Sequence, residues 1–287
     1  MELAIAHTSD MPWQSGLDVV GSMTAAFRDN LGPADQVERL FATYHQKTLY
    51  HDPETTRRFD LVRLDGGYGD ITVAYHDSVE ECFVVAGEVH LEGEGSFDAG
   101  GYFWRPPGWV HAARTAKGMT ALLMLQGEDP AEGSFRTSRR IRLTSEAGSN
   151  PLRTAEDPLF VGPRGWVRTH DRHLPWLPGA VYARTQGTVE AWDLDHLDVR
   201  VLSANPFTGG QSILLRLHAG HADATASLGN ARMELFVLGG ELQLGDEAMH
   251  AGSYARIAAG VPMPPLHSDG GATLFAKIDG WAARTAV

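Results

Sequence analysis

Residues 81–91 read ECFVVAGEVHL, and residues 234–244 read ELFVLGGELQL. Both alternate apolar and polar side chains around a central glycine, the pattern of a half-buried strand that bends. The copies stand 153 residues apart, and LYHDPETTRRFDLVRL (49–64) matches LSANPFTGGQSILLRL (202–217) at the same offset. Weaker echoes are AGGYFWRPPGW against AGSYARIAAGV, and MPW at Met11 against LPW at Leu174. A period held over this distance means two copies of one domain joined head to tail.

Within each copy, short apolar runs are broken by Gly, Pro, Asp and Asn every eight to twelve residues or so, which predicts antiparallel sandwiches or barrels and not βαβ units. One segment departs from this. Residues 33–46, PADQVERLFATYHQ, open with a proline and space Val37, Leu40, Phe41 and Tyr44 helically, predicting one short helix in an insertion that the second copy lacks. Residues rich in Arg, Gly, Pro, Ser and Thr follow the first copy. The expected organisation is a first barrel over 1–130, a linker over 131–172 and a second barrel over 173–287.

Composition narrows the functional classes. With 287 residues, 43% hydrophobic and 21% charged, the chain reads as a globular protein with no stretch apolar enough to span a bilayer. The first residues lack a basic leader and a long apolar core, so cytoplasmic residence is expected. A net charge of −12 opposes nucleic-acid binding, and Arg136, Arg139, Arg140 and Arg142 form a basic cluster without interleaved aromatics. The single cysteine, Cys82, excludes an internal disulfide and a thiolate-rich zinc site, and strand alternation turns it inward as a buried thiol. GEGSFDAGG lacks the Walker lysine and the G-x-G-x-x-G spacing, so neither a nucleotide nor a flavin is expected.

The residues that could carry chemistry surround the first copy of the strand. His76 and Glu80 precede it and His111 follows Pro-Pro-Gly, so strand pairing could bring two imidazoles and a carboxylate into one barrel. Such a set suits Fe, Mn, Zn, Ni or Cu and leaves coordination positions open. A solvated strand end is the other reading of the same residues. Tyr102, Trp104 and Trp109 are candidates to line a pocket or to fill core, and Arg105 to anchor a carboxylate or pair internally.

HDSVEECFVVAGEV followed by GYFWRPPGWVHAA resembles the paired motifs of the cupin superfamily, His-x-His-x(3 or 4)-Glu-x(6)-Gly and Pro-x-Gly-x-x-His, and is closest to the anti-sigma-factor type. The resemblance implies an all-β bicupin of two tandem jelly-roll (double-stranded β-helix) barrels. It implies one divalent metal held by His76, Glu80 and His111 in the first barrel, with Glu81 as an alternative ligand facing outward. The first histidine of the motif corresponds to Ala74. In the second copy Ala74, His76, Glu80 and His111 become Ser227, Gly229, Met233 and Met263, a degenerate site. His218, His221, His250 and His267 do not match the motif and are expected in surface or turn roles. The expected function is a metal-dependent enzyme acting on a small organic molecule, with oxygenase chemistry ahead of lyase, isomerase or hydrolase chemistry, in a homodimer. The alternatives are a metal- or ligand-sensing regulatory cupin and a metabolite-binding protein.

Overall fold

The computed structural model describes residues 3–22, 33–52, 57–70, 72–75, 78–106, 109–127, 139–142, 167–186, 192–204, 210–228 and 231–279. The repeated stretch forms the longest strand of each half, Ser78–Leu91 and Arg232–Leu244. Each bends at its glycine. Gly87 and Gly240 both hold positive φ, 77° and 80°, and a Cβ at either would collide with a carbonyl oxygen, that of Gly118 or of Gly271. Before the bend, Ser78–Leu91 pairs with Gly101–Arg105 and Met119–Gly127; beyond it, it pairs with Gly95–Asp98 and Ala113–Arg114.

The main sheet of the first half runs Val167–His170, Gly101–Arg105, Ser78–Leu91, Met119–Gly127, Arg58–Leu64, Tyr44–His51 and Gln14–Ser15. Every pairing is antiparallel, and most neighbours are distant in sequence, as in a jelly roll. Cys82 and Val84 point to one face with Val62, Leu64, Phe103 and Ala121 and form the barrel core. The second half repeats the plan around Leu235, Val237, Val199, Leu215 and Leu274.

The chain folds as two compact units, Pro12–His170, and Asp171–Val287 together with Met1–Met11. This differs from the expected boundaries at both ends of the first copy. Leu3–His7 pairs with Ser253–Ile257 in the sheet of the second unit, and Val167–His170, expected in a linker, pairs with Gly101–Arg105 in the first. Arg139–Arg142, from the basic cluster, pairs with Thr72–Tyr75. Backbone pairing at an edge needs little from side chains, so these short strands carry a weak sequence signal.

Three α-helices occur among the described residues where one was expected: Gly16–Ser22, Ala34–Phe41 and Gly179–Gln186. The expected helix stops at Phe41, because Tyr44 already pairs with Leu64 in the sheet. Leu40 and Phe41 pack with Val20 of the preceding helix, whose start is capped by the Ser15 hydroxyl accepting the Asp18 N–H at 3.2 Å. The MPW and LPW echoes also find a cause. Trp13 lies under Lys47 and Arg63, and Trp176 under Arg200 and Arg216, with cation-to-ring distances of 4.0–4.8 Å. No described helix is long and apolar enough to cross a membrane.

Candidate metal centre

Glu80 lies two residues before Cys82 and shares its inward face, with Arg105 and Leu125 as its partners on the flanking strands. Its Oε2 accepts a hydrogen bond from Arg105 Nη1 at 2.9 Å and lies 3.7 Å from His111 Nε2. His111 Nδ1 is 3.0 Å from the Trp109 carbonyl oxygen, which makes Nδ1 a protonated nitrogen and turns Nε2 toward Glu80.

Behind Glu80 stands a second carboxylate that the motif does not contain. Glu94, with a 0% exposed side chain, accepts from Arg105 Nη2 at 3.0 Å, from Arg105 Nε at 3.2 Å and from Trp109 Nε1 at 3.1 Å. The guanidinium is 1% exposed and lies 4.0 Å over the Phe103 ring. Burial works against its charge, but Glu80 and Glu94 outweigh burial and hold its pKa above the ordinary arginine value.

Glu81 lies elsewhere. It points to the opposite face, where its Oε2 accepts the Tyr102 hydroxyl at 2.8 Å. The second unit has the same pair, Tyr254 donating to Glu234 at 3.1 Å, so Glu81 belongs to the shared scaffold and is removed from the ligand set. Tyr102 and Trp104, opposite Phe83 and Glu81 in register, share that face, so they do not line the region around Glu80, whereas Arg105 and Trp109 reach it. Cys82 is buried in the core, and burial followed by the Glu80 charge pushes its thiol well up, so it stays protonated. His90 faces away from the core, its Nδ1 3.2 Å from Ser96 Oγ. His76 lies outside the described residues. Ala74 is in the Thr72–Tyr75 strand opposite Arg140.

A polar stripe on the neighbouring strands was not anticipated. Tyr44, Gln46 and Thr48 alternate along Tyr44–His51, and Asp60 lies opposite Thr48 on the core-facing side of Arg58–Leu64. Arg58 holds the Asp60 carboxylate at two points, 2.9 and 3.1 Å, and donates to Thr48 Oγ1 at 3.3 Å. Gln46 donates to Thr48 Oγ1 at 3.3 Å and accepts the Tyr44 hydroxyl at 3.2 Å. Burial raises the Asp60 pKa against the opposing effect of Arg58. Tyr44 is raised by burial first and then by Asp60. Asp60 lies opposite Leu123, which lies opposite Cys82, so the stripe and Glu80 share one face of the sheet.

The second unit fills the equivalent positions with hydrocarbon. At the offset of 153, Tyr44, Gln46, Thr48 and Asp60 become Leu197, Val199, Val201 and Ile213, in the same register. The Glu80–Arg105 pair becomes Met233–Ile257, and Met233 and Met263 are 0% and 2% exposed within one continuous core. This in-register contrast was available in the sequence and would have identified the stripe.

Among the described residues no group of three metal-ligating side chains is assembled. Glu80 and His111 are the candidate donors that come together. Their 3.7 Å separation suits two atoms that each reach one ion at roughly 2.0–2.2 Å, and an imidazole nitrogen and a carboxylate oxygen are the donor types such an ion takes. On these grounds the residues fit a divalent metal.

No protein-family model matches the sequence, and no curated protein does. Solved structures do match over almost the whole chain. A candidate dioxygenase from Nostoc punctiforme superposes with a TM-score of 0.69 at 16% identity, covering 99% of this chain and 85% of that one. The HEPD protein of Streptomyces albus, solved with its substrate 2-hydroxyethylphosphonate and Fe(II), gives 0.59 at 11% identity, covering 99% and 77%. A variant of salicylate 1,2-dioxygenase from Pseudoaminobacter salicylatoxidans, in complex with gentisate, gives 0.57 at 16% identity, covering 97% and 81%. The likeness shows the fold: an all-β protein of jelly-roll barrels.

Proposed function

We propose that the first unit is a metal-dependent enzyme of oxygenase type acting on a small organic molecule, with Glu80, His111 and His76 as the protein ligands of one divalent ion. One observation carries this reading. An inward-facing carboxylate and imidazole, backed by a polar interior, occupy one barrel, while its copy packs methionine, isoleucine and valine at the same positions. The likeness to structures described as dioxygenases agrees with it. When bound, the metal would supply Lewis-acid or redox chemistry to the substrate. His111 is held with Nε2 toward Glu80, and Arg105 holds Glu80 in one orientation. Tyr44, Gln46 and Thr48 present neutral hydrogen-bonding groups to the same interior, suited to orienting a polar substrate beside the ion.

The ion pair between Glu80 and Arg105 favours a second reading, a cupin that senses a metal or small molecule without turnover, because paired charges also serve as structure. Elemental analysis of the purified protein and of His76→Ala, His111→Ala and Met233→Ala variants tests the site. The first two should lose the metal and the third keep it; unchanged content in His76→Ala and His111→Ala defeats the proposal. Oxygen uptake by the iron-loaded protein over a panel of small hydroxy and phenolic acids separates enzyme from sensor.

A further inference from the structure

We infer that Glu94 is the residue that makes this site competent for a cation: it neutralises the buried Arg105, so that Arg105 can orient Glu80 without competing for the ion. The inference rests on the metal reading of Glu80 and His111. The Glu80 oxygen that Arg105 occupies, Oε2, is the same atom that lies 3.7 Å from His111 Nε2. A guanidinium bound there alone would spend the carboxylate's charge and place a positive charge beside any ion joining the two residues.

Glu94 alters that balance. It takes the Nε and Nη2 edge of the guanidinium and leaves Nη1 for Glu80, a division that the planar fork of arginine permits. The Trp109 indole N–H fixes the Glu94 carboxylate in turn. Arg105, Glu80 and Glu94 together carry one net negative charge, whereas Arg105 and Glu80 alone carry none. A simple pair would suffice to hold the strands together, and a third buried charge adds a desolvation cost that structure alone does not require. In the second unit hydrocarbon fills the Glu80 and Arg105 positions, Met233 and Ile257, and the carboxylate at the Glu94 offset, Glu247, is exposed. Glu94 and Arg105 are thus positioning residues, acting through Glu80.

Titration of the full chain with Zn(II) and with Mn(II), by calorimetry and by competition with a chelating dye, tests this. Glu94→Gln keeps the shape of the side chain and should weaken affinity at least tenfold. Adding Arg105→Met to that variant removes the uncompensated guanidinium and should recover most of the loss. Trp109→Phe, which removes one hydrogen bond but no charge, should stay within about threefold of the wild type. If Glu94→Gln does not fold, Arg105→Met is compared with the double variant, and the single variant should bind the more tightly. Wild-type affinity in Glu94→Gln, or a double variant no better than Glu94→Gln, overturns the inference while leaving the metal reading in place. Wild-type protein that takes up neither metal overturns both.

Discussion

His221 shows how a single side chain ties the second unit to pH. Expected at the surface or in a turn, its ring is instead fully buried, with Nδ1 3.2 Å from the His196 carbonyl and Nε2 3.1 Å from an Asp223 carboxylate oxygen, a close charge contact outside hydrogen-bond alignment. That geometry suits the imidazolium. Burial opposes the charge, but Asp223 outweighs it and the pKa is raised. A folded-state pKa above the unfolded one gives stabilisation that is complete below about pH 6.5 and lost as pH rises through the raised value. Melting temperatures followed from pH 5.5 to 8.5 should therefore fall on the alkaline side, and His221→Gln should flatten that slope; an unchanged slope counts against the account. At this scale spacing was a good guide where alternation governed. The seven-residue step from Glu80 to Gly87 matched the motif that the sequence resembles, and alternation places Glu80 and Glu81 on opposite faces of the strand. Spacing could not reveal Glu94, which stands just beyond the strand end, where neither period applies and only the folded turn brings it to Arg105.

Between residue and barrel, the strands decide what the interior is made of. The Tyr44–His51 and Arg58–Leu64 pair keeps its register in both units, yet one version faces inward with hydrogen-bonding groups and the other with hydrocarbon. The backbone thus tolerates either lining, and the polar one needs its partners complete. Asp60 and Arg58 form a buried two-point pair, so Asp60→Ala removes the carboxylate that balances the Arg58 charge and should destabilise the first unit by about 3–5 kcal/mol in urea denaturation. Replacing Asp60 and Arg58 together by the second-unit residues Ile and Gln should cost well under that. Equal losses would mean that Asp60 matters for shape and not for charge. Sequence reasoning found these strands but misjudged where they begin. Val37, Leu40, Phe41 and Tyr44 keep a helical period through Tyr44, and the period ends early because the sheet offers Tyr44 a full ladder against Leu64, which outweighs local preference.

For the whole molecule, the repeat made the tandem architecture legible, since an offset of 153 holds across separate strands, but not the assignment of the first segment. Leu3–His7 pairs over five residues with Ser253–Ile257. Leu3 and Ile5 pack on the second unit's core, and His7 Nδ1 lies 2.9 Å from Ser253 Oγ with its ring stacked 5.3 Å from His250. Those contacts predict a sharp division after removal of residues 1–11. Amides of Ser253–Ile257 should exchange faster with deuterium, because the strand loses one of its two ladders and becomes a sheet edge. The Gly101–Arg105 strand takes its edge partner from Val167–His170 and should keep its protection, and metal content should not change if Glu80 and His111 hold the ion. Faster exchange at Gly101–Arg105 with Ser253–Ile257 unaffected would return the first segment to the unit that the plain order of the sequence suggests.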